Sequence, residues 1–358
     1  MALRLTIGWH FLYEGVWKID NSNQFSALPF LTQAKGPFAP LFYAMSPDLN
    51  GVERLKLQEK DLTWWIPTNI KVDVVTPKKD EEGKKPELVH SRDLQEKSEK
   101  CLVFPAFFNP TEDIYRFVEK KYDLTDAQQE ELKLAWGRYV IDTTTLQKNS
   151  AEDVSAYLES LKRLTDTKNG PNNGPEQKKR LWQEMMKLRV EAGKYVSQLD
   201  GFSRTFLNSV KDILTPEQLQ KAKLPEFLVT TDRLPLGLSL PFVGKSWTKF
   251  LDFSVTWALT LIGVCLILGF CTRLAAIGGG GFLIMVLMTQ PPWPTIYPSV
   301  HPEVGHAMIV DKNFVEMVAI FMLATLPVGR WGGLDFFIWT CVGKPLLQTF
   351  KLIPEEEA

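Results

Sequence analysis

Seven side chains have the type and spacing to do chemistry: His10, Glu14, Lys18, Asp252, Glu316, His301 and His306. The first three recur every four residues, which makes them one polar stripe on a helix. Glu14 precedes Lys18 in the order that favours an i,i+4 ion pair. The stretch around them, Leu3 to Ile19, is otherwise largely apolar. Ionisable groups in such a setting are costly and face a bundle interior. Asp252 lies near the start of a second apolar run, and Glu316 about one turn into a later one. If these runs cross a bilayer in turn, Lys18, Asp252 and Glu316 approach the same outer level, with His301 and His306 in the loop beside them. Three chemistries suit that convergence. One is a structural ion-pair network that neutralises Lys18. Another is a proton-handling or quinone-headgroup site, with Lys18 stabilising negative charge and Glu14 or Glu316 accepting a proton. The third is a metal held by the two histidines and an acid. A five-residue spacing in a loop is not a specific zinc pattern, so no metal is assigned.

The elements that must position these groups are apolar helices. Leu251–Phe270 carries one acid near its start and is long enough for a hydrocarbon core of about 30 Å. After Cys271, Thr272 and Arg273, the run Leu274–Met288 is apolar again and stops at Pro291-Pro292; Phe314–Val328 is a third. The Leu3–Ile19 stretch has a rival reading as a secretory signal. His10 and Glu14 would interrupt its apolar region, and no clear cleavage site follows. It is read as a retained first span. Gly8 and Gly15 lie on a face where another helix can approach closely. Gly278–Gly281 reads as close helix packing or a kink. Arg4, Arg273, Arg330, Lys344 and Lys351 assign the short connections and both termini to the cytoplasm; Lys245 and Lys249 weigh the other way. The expected fold is an all-α membrane protein. It has a four-helix transmembrane bundle and a large, mainly helical extracytoplasmic insert, with segments 1–19, 20–246 and 247–335 and an interfacial or cytoplasmic tail at 336–358.

Within the insert, Asp20 to about Cys101 reads as irregular, with a short strand at Thr68–Val75 and a solvated charge run over Lys78–Lys100. Thr125 with Gln128 and Ser150 with Asp153 are candidate helix starts. Thr167–Pro175 breaks the helical pattern. Leu181, Met185, Leu188, Ala192, Tyr195, Leu199, Phe202, Phe206 and Val210 then form a narrow apolar seam. Thr215-Pro216-Glu217-Gln218 starts a further helix. A soluble helical piece is expected over Thr111–Lys223.

Composition excludes several functions. The chain's 358 residues carry 41 Lys+Arg and 42 Asp+Glu, so no basic excess suits a general nucleic-acid binder. Four cysteines do not build a disulfide scaffold. No C-x-x-C, haem-attachment motif, P-loop or sustained G-x-G-x-x-G occurs. Cys265 and Cys271, six apart, read as packing residues, and Cys101 stands alone in the insert.

Three pieces resemble the DoxX family of small four-span bacterial membrane proteins: RLTIGWHFLYEGVWK (Arg4–Lys18), LILGFCTRLAAIGG (Leu266–Gly279) and HAMIVDKNFVEMVAIFMLATLPVGRWGGLD (His306–Asp335). The last two look like the family's "G-x-x-T-R" turn and "G-R-x-x-x-L-D" exit. The insert of over two hundred residues departs from the minimal pattern, and Pro29–Asp48 looks like its start in longer members. The resemblance implies a bacterial cytoplasmic membrane and a membrane subunit of a quinone-linked sulfur or oxidative-stress system, with quinone as the one candidate cofactor. The alternative is a non-catalytic anchor whose outer helices bind a partner. Expected partners are the lipid bilayer, a redox-enzyme subunit and a second copy of the chain, not nucleic acid.

Overall fold

The computed structural model describes residues 1–75, 87–169, 174–291 and 310–343. The chain is mostly helical. In order it forms α1 (Ala2–Asp20), α2 (Leu28–Thr32), α3 (Ala39–Ala44), β1 (Gln58–Val75), β2 (Glu87–Val103), α4 (Pro105–Lys121), α5 (Asp126–Asn169), α6 (Pro175–Ile213), α7 (Pro216–Lys221), α8 (Trp247–Leu268), α9 (Thr272–Thr289), α10 (Lys312–Thr325) and α11 (Leu334–Ile338). It divides into two compact units, 1–47 with 173–182 and 234–358, and 48–172 with 183–233. The expected insert boundaries at residues 20 and 246 therefore lie inside the first unit.

In the first unit, α1, α8, α9 and α10 share one core built from Ile7, Phe11, Leu259, Leu266, Ala276, Leu283, Ile320 and Leu323. Glycine sets how closely the helices approach. A Cβ on Gly15 would lie 2.7 Å from the Thr260 backbone nitrogen, and one on Gly263 would lie 2.6 Å from Leu12 Cα. Gly8 meets Leu266 and Ile267 in the same α1–α8 crossing. In the four-glycine run, Gly279 faces Ile320 and Gly280 faces Phe321, while Gly281 meets nothing within 4 Å. Close α9–α10 packing is therefore the role of this run's middle.

Two of the four helices, α8 and α9, are long and apolar enough to cross a membrane. The α1 helix has the length but carries the polar stripe. The α10 helix stops at Thr325, where Leu326 is extended and Pro327 has no amide hydrogen to donate. Its 14 residues span about 21 Å.

The second unit contains a feature that the all-α expectation lacked. Strands β1 and β2 pair antiparallel from Gln58↔Val103 out to Val75↔Glu87, with an irregularity between Pro67 and Asn69. The short strand expected at Thr68–Val75 is the outer end of β1, which reaches back to Gln58 in the segment read as irregular, and the charge run read as a loop holds most of β2; residues 76–86 lie outside the described part. The base of the hairpin is core. Leu62, Trp64 and Val103 pack with Phe108, Tyr115, Trp136, Tyr139 and Phe206. Trp136 stacks on Tyr115 at 4.9 Å between ring centres, and its indole N–H donates to Thr63 O at 3.1 Å. The unit's second core joins Leu55, Phe104, Phe107, Val154, Tyr157 and Leu199. A fragment over Thr111–Lys223 would omit part of both.

Thr125 and Gln128 make the expected cap, and Thr215 with Gln218 forms a full capping box. Ser150 does not start a helix. It lies within α5, and its hydroxyl donates to Leu146 O at 2.7 Å. The chain between α5 and α6, where the break was expected, includes residues 170–173 outside the described set.

Candidate functional site

The polar stripe of α1 divides between two sets of partners. His10 reaches α10, where its Nδ1 lies 2.7 Å from Glu316 Oε1. Lys18 stays within α1 and donates to Glu14 Oε2 at 2.6 Å and to Glu14 O at 3.3 Å. Its ammonium also sits over the Phe25 ring, 5.4 Å from the centre. Asp252 Oδ1 accepts the Ala27 N–H at 2.7 Å and so ties the chain after α1 to the start of α8. Glu316 thus pairs with His10, Lys18 with Glu14, and Asp252 with the Ala27 N–H. His301 and His306 lie outside the described residues. Among the described residues no group of three His, Cys, Asp or Glu side chains could hold a metal.

The His10–Glu316 contact joins two helices 306 residues apart in sequence. The Glu316 side chain is 15% exposed and that of His10 is 55% exposed. An imidazole held by a carboxylate can take and release a proton, and the carboxylate fixes which ring nitrogen is bonded. With Nδ1 on Glu316, Nε2 makes no hydrogen bond among the described residues. Trp9, Tyr13 and Trp17, spaced four apart, are exposed on the same helix. They therefore form a stripe of exposed rings next in sequence to His10, Glu14 and Lys18.

The opposite end of α1 holds a polar knot that sequence reasoning did not assemble. Arg4, expected to mark the cytoplasmic side, is 1% exposed, and its Nη1 donates to Val328 O at 3.0 Å. Its Nε has no partner among the described residues. A Cβ on Gly269 or Gly333 would crowd Arg4 Nη1, at 2.5 and 2.8 Å. Gly269 also ends α8 with φ 65°, a left-handed conformation suited to glycine. Asp335 then caps α9, accepting Cys271 N–H at 2.7 Å and Thr272 N–H at 3.0 Å. Its own N–H donates to Gly269 O at 2.8 Å. The first segment, the Thr-Arg turn and the Leu-Asp exit therefore meet at one end of the bundle. The signal that could have found this was the glycine spacing around each polar residue. Lys35 was also missed: it is buried before α3, and burial pushes its ammonium below the ordinary value.

No family model, curated protein or solved structure matches this chain.

Proposed function

We propose that this is a DoxX-like integral membrane protein in which α1, α8, α9 and α10 cross a bacterial inner membrane, with both termini inside and the second unit outside. The His10–Glu316 pair handles a proton for a quinone headgroup, as part of a membrane subunit in a redox system. One observation carries this reading: a hydrogen-bonded imidazole and carboxylate join two helices of an apolar bundle. An ionisable pair is costly in such a place and marks a functional site by default. The exposed Trp9, Tyr13 and Trp17 offer faces on which a flat ring can stack. The chain completes the fourth crossing beyond the end of α10, through Leu326–Val328. Glu14 and Lys18 neutralise each other at the outer end of α1 and take no part in proton transfer.

A second reading has its own support. The second unit has two apolar cores of its own, as expected of a domain that binds a partner while the helices anchor it.

The two readings separate on quinone content. Full-length protein purified from native membranes should carry quinone. Glu316→Gln should lose most of it while keeping its thermal midpoint. Equal quinone in the native and Glu316→Gln proteins, or none in either, would favour the anchor.

A further inference from the structure

Residues 235–242 read Pro-Leu-Gly-Leu-Ser-Leu-Pro-Phe, and all of them are exposed. Leu236 and Phe242 are each 97% exposed, and Leu238 and Leu240 also face outward. Single apolar residues on a surface need no explanation, but a contiguous uncharged run marks an interaction site. This loop is held at both feet. Leu234 and Val243 are buried, and Leu234 N donates to Lys245 O at 2.8 Å. Leu240 and Gly244 exchange both backbone hydrogen bonds, at 2.9 and 3.0 Å. Leu236 and Phe242 have φ of 59° and 68°. Bulky L-residues avoid this left-handed region, so the two most exposed side chains stand on unfavourable backbone.

The loop leads directly into α8. Ser246 caps that helix by accepting the Lys249 N–H at 3.1 Å, and the Trp247 indole donates to Met45 O at 2.7 Å. Lys245 and Lys249 are exposed beside it. Tryptophan and lysine at the end of an apolar helix are the residues of a membrane–water interface, and lysine stems lie along apolar surface while their heads reach phosphates.

We propose that residues 235–242 form a wedge that inserts Leu236, Leu238 and Phe242 into the outer leaflet of a phospholipid bilayer, with Lys245 and Lys249 at the headgroups. The proposal rests on the reading that α8 crosses the bilayer. The start of α8 then lies at the interface, and a loop closed onto Lys245 stays at that level. Its uncharged tip matches the acyl chains, and its two basic flanks match the phosphates.

Depth-dependent quenching tests this on the full chain, reconstituted in phosphatidylcholine vesicles containing phosphatidylglycerol. With the four native cysteines replaced by serine, a nitrobenzoxadiazole label is placed at Leu236→Cys, Phe242→Cys or, within α8, Leu261→Cys. Lipids spin-labelled near the headgroup should take most of the fluorescence from positions 236 and 242, and deeply labelled lipids should take it from position 261. Quenching at 261 with none at 236 and 242 would overturn the wedge and leave the crossing intact. Cross-linking of Phe242→Cys between copies, in place of quenching, would make a second copy the occupant and overturn the lipid assignment. Quenching at none of the three would overturn the crossing and the wedge with it.

Discussion

Two residues show how burial changes what a charge is worth. Asp335 accepts two backbone N–H groups at the start of α9, where the helix would otherwise leave them unsatisfied. Losing such a cap costs about 0.5–2 kcal/mol, so Asp335→Ala should lower the thermal midpoint of the detergent-solubilised protein. Arg4 is the opposite case. Among the described residues its buried guanidinium has one hydrogen bond and one nitrogen without a partner, and a buried unsatisfied donor costs about 1–3 kcal/mol. Arg4→Met should therefore leave the midpoint unchanged or raise it, and a fall as large as that of Asp335→Ala would contradict this account. The sequence showed that His10, Glu14 and Lys18 share a helix face, because that follows from spacing alone. It could not show that His10 turns to Glu316. That choice is made by the α1–α10 packing, between residues more than three hundred positions apart.

At the scale of elements, glycine decides which helices touch. Gly15 and Gly263 lie against the backbone of the facing helix, whereas Gly281 faces open space. Gly15→Leu and Gly263→Leu should each force α1 and α8 apart and abolish the folded, extractable protein. Gly281→Leu should be neutral in abundance and melting, and equal loss from all three would refute the assignment. The Gly8–Gly15 spacing made a close approach to that face of α1 legible, but not that α8 makes it. The hairpin was legible only in part, through the alternation at Thr68–Val75. The part of β2 from Asp93 to Lys100 reads DLQEKSEK, with one apolar residue in eight, so no alternation marked it as a strand. Its pairing with β1 makes it one, and the base of the ribbon, at Leu62, Trp64 and Val103, is buried. Ser150 misled in another way. Serine suits an N-cap, but inside a helix its hydroxyl bonds back to a carbonyl one turn earlier.

For the whole molecule, the hairpin base redraws the boundary of the piece expected to fold alone. Residues 48–233 expressed alone should melt cooperatively, while Thr111–Lys223, which lacks Leu62, Trp64 and Val103, should be helical without a cooperative transition. Acid should weaken the longer piece in a defined way. Burial pushes the Glu112 carboxyl up, but hydrogen bonds and charge from Lys60 and Arg116 hold it below its ordinary value. A carboxyl depressed on folding contributes stability in full above its unfolded value, and that stability is lost as pH falls through the folded one. Glu112→Gln should flatten the decline of the midpoint over that acid range. Two apolar helices were plain in the sequence, as were the caps at Thr125 and Thr215. The division into two units depends on long-range packing that no local pattern encodes. Membrane orientation underlies both the quinone reading and the lipid wedge, and thiol labelling reads it most directly. Lys168→Cys in the second unit should react with a membrane-impermeant maleimide on intact spheroplasts, whereas the exposed native Cys271 in the α8–α9 turn should react only after the membrane is ruptured. Labelling of Cys271 on intact spheroplasts, with Lys168→Cys protected until rupture, would contradict the account.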